Sequence, residues 1–248
     1  MNDILTIDKL SKSFGGVKAV SGVDCRVKQG ELLGVIGPNG SGKTTFVNLI
    51  TGFVKPSQGR IFFRDRDITR LPPYKIVRLG ITRTFQMVKP FTRLPAFKNL
   101  IIPLFSPRLR ELSSGGLGDR DAVALDLLEE VGFERDARVA YKTAGALPQG
   151  YLKRLELAKA MALEPELLIL DELFSGLSLA EVAGIVPVIE KLRTSGMTII
   201  MIEHRLKELF RIADRIMVFN FGQKIAEGTA EAVMDHQAVK EAYLGTEA

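Results

Sequence analysis

Residues 37–45 read GPNGSGKTT and fit the pattern G-x-x-x-x-G-K-[ST] between an apolar run and a helical stretch. The chemistry such residues can do is phosphate binding. Gly37, Pro38, Asn39, Gly40, Ser41 and Gly42 make a turn that brings main chain close to an anion. Successive amides and the helix N-terminus then direct positive charge inward. Lys43 is placed to reach β- and γ-phosphates, Thr44 to offer its hydroxyl to magnesium, and Thr45 completes the motif. A second stretch, LLILDE, is an apolar run that delivers Asp171 and Glu172 at its end. Asp171 would hold the magnesium, directly or through water, and Glu172 would polarise an attacking water as general base. Taken singly, the first motif also reads as a glycine-rich strand–helix turn and the second as a strand end meeting solvent. Together they point to hydrolysis of a nucleoside triphosphate. His204 closes MTIIMIEH at an equivalent strand end, where it serves either a γ-phosphate or a structural contact.

These residues need a frame, and the pattern along the chain supplies one. Residues 1–30 read as short strands, ELLGVI as a buried strand, KTTFVNLITGF as a helix, and GRIFFRDRDI as a return to strand. PFTRLPAFKNLIIPLF and RDAVALDLLEEVGF have helical spacing, with the loop ELSSGGLGDRD between them. A long helix follows Gly150, then LLILD as a strand, a helix near 180–195, the strand MTIIMI, a helix near 205–212, and the strands RIMVFN and QKIAEG. Buried strands alternating with helices imply an α/β fold of the P-loop NTPase kind. Its sheet is expected to be mostly parallel and doubly wound, with an N-terminal antiparallel β-subdomain and an inserted helical subdomain. The expected organisation is one domain over 1–248, with the core at 1–84 and 161–248 and the helical part at about 85–160.

The chain has 248 residues with a formal charge of +5, a basic balance that suits nucleotide, nucleic acid or an anionic surface and equally a solvated face. One cysteine, Cys25, rules out an internal disulfide and fits a reducing compartment. The opening MNDILTIDKL has no apolar signal core, and the longest apolar runs are too short to cross a bilayer. A soluble protein is therefore expected.

Taken in order, KSFGG, GPNGSGKTT, TFQ, LPQG, LLILDE, SGLS and IEH resemble the nucleotide-binding subunit of ABC transporters, from about Leu5 to Glu227. In GITRTFQ and LPxGxxKRxELAxA the likeness is to the ATPases of branched-chain amino acid importers. The resemblance implies ATP and Mg2+ as ligands, and ATP hydrolysis coupled to transport. It implies that Phe14 stacks on adenine, and that Gln86 ligands magnesium, senses the γ-phosphate and links to the helical lobe. It also implies that His204 is a switch histidine. Two such subunits, identical or different, would sit head to tail, each ATP lying between one phosphate loop and the segment Leu147, Pro148, Gln149, Gly150 of the other. Membrane-spanning permease subunits would dock on the helical lobe, where Lys89, Arg93 and Lys98 face either that partner or solvent. A substrate-binding protein would act indirectly, and no nucleic acid is expected. The place would be the cytoplasmic face of the plasma membrane.

The chain departs from the family pattern at Pro148 in place of serine, at Leu173 after the glutamate, at Ser178 in SGLS, and at Arg205 after the histidine. These departures bear on the dimer contact. The string LSSGG at 112–116 looks closer to the family's usual LSGG than LPQG does, but no basic helix follows it and it reads as a linker. Two other readings share the phosphate loop: a non-transport ATPase of this fold acting on nucleic acid or the ribosome, and a P-loop kinase, for which no acceptor lid is visible.

Overall fold

The computed structural model describes residues 2–112, 118–134 and 138–244. In chain order the strands and helices begin with β1 (Asp3–Phe14), β2 (Val17–Lys28), β3 (Leu32–Ile36), α1 (Lys43–Ile50), β4 (Gln58–Phe63), β5 (Arg66–Asp67), α2 (Pro73–Leu79) and β6 (Ile81–Arg83). Next come α3 (Ile101–Leu104), α4 (Pro107–Leu112), α5 (Arg120–Glu130), α6 (Gln149–Met161) and β7 (Leu167–Asp171). The chain continues through α7 (Leu179–Thr194), β8 (Thr198–Ile202), α8 (Leu206–Ile212), β9 (Arg215–Asn220), β10 (Gln223–Gly228), α9 (Ala230–Asp235) and α10 (Gln237–Leu244).

Two sheets result. One is antiparallel, in the order β2-β1-β4-β5; the other runs β10-β9-β3-β8-β7-β6 and is parallel except for β10, which pairs antiparallel with β9. The apolar runs explain the second sheet. A strand buried on both faces needs no polar alternation. Along β7, Leu168 and Leu170 enter one core while Leu167 and Ile169 enter the other. β8 divides likewise, Ile199 and Met201 against Ile200 and Ile202. The core of Leu167 and Ile169 also takes Phe46, Val47, Leu49 and Ile50 of α1 and the inner face of the antiparallel sheet. The opposite core is shared with α5, α6 and α7.

PFTRLPAFKNLIIPLF is not helical throughout. A 3-10 turn at Phe97–Leu100 leads into α3, and residues 90–96 are extended or turned. Pro90 and Pro95 bias the residues before them away from helix. The buried Asn99 then secures the turn: its Oδ1 accepts from the Phe91 amide at 2.7 Å, and its Nδ2 donates to the Pro95 carbonyl at 2.9 Å. α1 is also shorter than KTTFVNLITGF suggests. It stops at Ile50, where the Thr51 hydroxyl donates back to the Val47 carbonyl at 2.7 Å. The string at 113–116 lies outside the described residues. Among the described residues no helix is long and apolar enough to cross a membrane.

Candidate active site

The parallel order sets the site. β3 leads into the phosphate loop, β8 lies beside β3, and β7 lies beside β8. The loop at 37–45, the end of β8 with His204, and the end of β7 with Asp171 and Glu172 therefore share one edge. Open parallel sheets bind ligands at that edge.

In the loop, Gly42 takes φ 109 and caps α1, and a Cβ there would collide with the Ala19 carbonyl of β2. That left-handed geometry is what makes glycine necessary. The Lys43 ammonium is folded back on its own loop, donating to the carbonyls of Gly37 at 2.7 Å and Pro38 at 2.9 Å. Burial pulls Lys43 below the usual lysine range, and the charges of Glu172 and Asp171 act against that pull. Ser41 Oγ is buried without a hydrogen-bond partner among the described residues, while Gly40 has open space around it. A spare hydroxyl, an open backbone and a parked cation fit a polyphosphate. Phe14 is half-exposed at the tip of the β1–β2 hairpin, with Lys12 Nζ 4.9 Å from its ring centre. Its hairpin approaches the loop through Ala19.

Glu172 stands in the left-handed region at φ 50. For a non-glycine residue this costs about 1–2 kcal/mol, a kind of strain that clusters at functional sites. Its carboxylate is held on both oxygens: Gln86 Nε2 donates to Oε2 at 2.6 Å, and His204 Nε2 lies 3.1 Å from Oε1. Three residues from separate loops thus meet in one cluster. Thr44, Gln86 and Asp171 line a common cavity of about 500 Å³. Hydroxyl, amide and carboxylate oxygens are hard donors of the kind magnesium takes alongside phosphate oxygens. Among the described residues no group of three or more His, Cys, Asp or Glu could hold a metal alone. A cation at Asp171 would therefore depend on a bound phosphate.

The segment Leu147–Gly150 is elsewhere. It lines neither of two cavities at the phosphate loop, one with residues 38–41 and one with Thr44. Pro148, at φ −56 and ψ 157, stands at the cap of α6, one residue before the helix. The helix places Gly150 against α7, and its amide donates to Glu181 Oε1 at 3.1 Å. Ser178 and Glu181 form a capping box at the start of α7, which gives the serine of SGLS a local role. Arg205 donates to the Leu177 carbonyl behind the same turn. Leu173 is buried in the core. Lys98 pairs with Asp121 at 2.6 Å, both side chains remaining partly exposed.

Four residues escape the sequence reading. Lys153, 1% exposed, donates to the carbonyls of Gln86 at 2.9 Å and Glu172 at 3.2 Å, tying both loops to α6. Its signal was a lysine in the otherwise apolar stripe that runs from Gly150 to Leu157. Glu203 is buried beside this cluster, accepting from the Phe174 amide at 2.8 Å, and burial pushes its carboxyl up to about 8. Arg83 pairs with Asp171, its Nη2 2.6 Å from Oδ2. Glu181 is the fourth; its local signal was Ser178 three residues earlier, the S-x-x-E spacing of a capping box.

A phosphate loop and an acidic strand end on this sheet, with an antiparallel sheet beside it, define an ATP-binding cassette. The ABC transporter family matches residues 20–175, and a C-terminal family described as the branched-chain amino acid ATP-binding cassette transporter matches residues 223–248. The high-affinity branched-chain amino acid transport ATP-binding protein BraF of Pseudomonas aeruginosa is 38% identical over 98% of each chain. The corresponding LivG of Escherichia coli is 38% identical, also over 98% of each. A nucleotide-free ATP-binding cassette from an ABC transporter superposes with a TM-score of 0.84 at 31% identity, covering 98% of this chain and 99% of its own. The ADP conformation of an ATP-binding cassette of an ABC transporter does so at 0.84 and 32%, covering 99% and 100%. The chain belongs to the ABC transporter family and binds nucleotide.

Proposed function

We propose that this protein is the ATP-hydrolysing subunit of an ABC importer for branched-chain or related amino acids, active with Mg2+. It would work as a pair of cassettes under membrane-spanning permease subunits on the cytoplasmic face, fed by a substrate-binding protein. The observation that carries the reading is the convergence of Lys43, Asp171, Glu172, Gln86 and His204 at one sheet edge in a chain of this family. The proposed division keeps one domain over 1–248, with the helical part at about 85–160.

The loop amides and Lys43 bind the β- and γ-phosphates. For this, Lys43 leaves its two carbonyls, so the ligand replaces contacts the loop already makes. Phe14 offers a half-exposed ring to the base. Thr44, Gln86 and Asp171 would hold magnesium, which would offset the negative charge that develops in phosphoryl transfer. Glu172 takes the proton of the attacking water, the oxygen of that water joins the γ-phosphorus, and ADP leaves with the electrons of the broken bond. Gln86 and His204 each engage one Glu172 oxygen, orienting the carboxylate and leaving each oxygen a further acceptor site for the attacking water.

An apolar cleft supports the docking of a permease. Phe53, Ile76, Val77, Phe85, Ile102 and Pro103 line a cavity of about 320 Å³ between the core sheet and the helical part, and Phe53, Phe85 and Ile102 are exposed. An exposed apolar patch of this kind is typical of an interaction site. The test of the whole reading is ATP turnover by the purified protein, with Lys43→Ala as comparison. Loss of turnover with an unchanged circular dichroism spectrum is expected; unaltered turnover in the variant would refute the site.

A further inference from the structure

Asp171 is not alone at the end of β7. The Arg83 guanidinium reaches it from the end of β6, and both side chains are more than nine-tenths buried, at 8% and 5% exposure. Arg83 is anchored at several points. Its Nη1 donates to Asn48 Oδ1 at 2.7 Å and Thr51 Oγ1 at 3.3 Å, at the end of α1. Its guanidinium carbon lies 4.8 Å from the ring centre of Phe85 and 5.6 Å from that of Phe53. A group fixed this way does not follow the carboxylate; the carboxylate conforms to it. Among the described residues, the one hydrogen bond to the Asp171 carboxylate, from Arg83, ends on Oδ2. The cavity these two residues share also takes Thr44 and Gln86.

We infer that Arg83 is a positioning residue that selects the metal: by holding Oδ2 it leaves Asp171 a single oxygen for the cation. The inference rests on the reading of Asp171 as a magnesium carboxylate. Its physical content is a difference between ions. Magnesium demands near-ideal octahedral geometry, keeps several waters and is satisfied by one carboxylate oxygen. Calcium takes more oxygens at longer distance and readily uses both oxygens of one carboxylate. A carboxylate with one oxygen committed to a fixed guanidinium therefore suits magnesium or manganese and disfavours calcium. Lysine at position 83 would keep the charge but lose the planar fork that reaches Asp171, Asn48 and Thr51 together.

The test is binding of Mn2+ to the full chain with adenylyl imidodiphosphate, followed by electron paramagnetic resonance, with Mg2+ and Ca2+ as competitors. In the unaltered protein Mg2+ should displace Mn2+ at much lower concentration than Ca2+ does. Partners that orient ligating carboxylates typically shift metal affinity about 10–100-fold. Arg83→Met should therefore narrow the Mg2+/Ca2+ ratio about tenfold, and Arg83→Lys should narrow it less, while binding of the analogue without metal stays as in the unaltered protein. The ratio is read because both ions carry the same charge, so loss of the guanidinium charge alone does not move it. An unchanged ratio in Arg83→Met overturns the inference. Should that variant fail to bind the analogue, an unchanged ratio in Arg83→Lys does the same. Absence of any Mn2+ binding by the unaltered protein with the analogue would instead remove the magnesium reading of Asp171.

Discussion

At the phosphate loop this chain rests a cation on its own carbonyls; at the start of α6 it rests a carboxylate on its own amide. Lys43 sits on Gly37 and Pro38, and Glu181 sits on Gly150. Each is a stand-in for charge that a nucleotide would bring or meet, and the two differ in consequence. When phosphate arrives at the loop, Lys43 turns from carbonyls to a stronger, charge-assisted partner. On the proposed dimer, a phosphate reaching α6 would require Glu181 to give up the amide and withdraw its negative charge. On that reading the loop is ready for its ligand, while the carboxylate seated on α6 opposes it. With Pro148 also removing a hydroxyl, this explains why the contact across a dimer should be the weaker half of the site.

The largest effect that would sharpen this contrast lies on the loop side. Glu172→Gln should lose about 10²–10⁴-fold in turnover, the usual contribution of a general base, while ATP binding persists. ATP should then accumulate a dimer visible by size exclusion. Full turnover in a strictly monomeric variant would break both halves of the comparison.

Acid and base act on the loop side as well, through Glu203. Its folded carboxyl titrates at about 8 because burial disfavours the charged form. The unfolded chain releases that proton near pH 4.3, so between there and pH 8 the folded state holds one proton more. This contribution to stability is complete below about pH 4 and falls as pH rises, by at most about 1.4 kcal/mol per unit, levelling off above pH 8. Glu203→Gln should flatten that slope in urea titrations run from pH 5 to 8. An identical slope in the variant would mean that Glu203 does not titrate there.

The smallest effect isolates the carboxylate seated on α6. Glu181→Gln keeps the capping box, which accepts either residue, but removes the charge. A charge at a helix N-terminus is worth about 0.3–1 kcal/mol, so ATP-driven dimerisation should tighten about two- to fivefold. Looser dimerisation in Glu181→Gln would show that the carboxylate supports the contact rather than opposing it.

What could be read from the sequence follows the same division. The phosphate loop is legible because its demands are local: glycines at fixed spacing, a lysine, a threonine, a strand before and a helix after. LLILD and TIIMI are legible as buried strands because every residue in them is apolar. Arg83 was not, since its partner Asp171 is 88 residues away and only the pairing of β6 with β7 brings them together. Glu181 was hidden for a similar reason: its capping role is local, but its bond to Gly150 depends on how α7 packs on α6. The helical reading of residues 90–96 failed because spacing does not register what prolines and a buried asparagine do to the main chain.

The account stands most directly on residues 147–150 being the segment that meets the γ-phosphate of a second subunit. In a Glu172→Gln background, sedimentation velocity with ATP should be compared for Gly150→Asp and Gly115→Asp. The three atoms nearest a Cβ at Gly150 all belong to the Glu181 side chain, Oε1 at 2.8 Å, so the change requires that side chain to shift, and an unchanged circular dichroism spectrum is the control for folding. The account predicts that Gly150→Asp binds ATP and stays monomeric, while Gly115→Asp dimerises like its parent. A dimer in Gly150→Asp together with a monomer in Gly115→Asp would contradict it and move the phosphate-facing role to the string at 112–116.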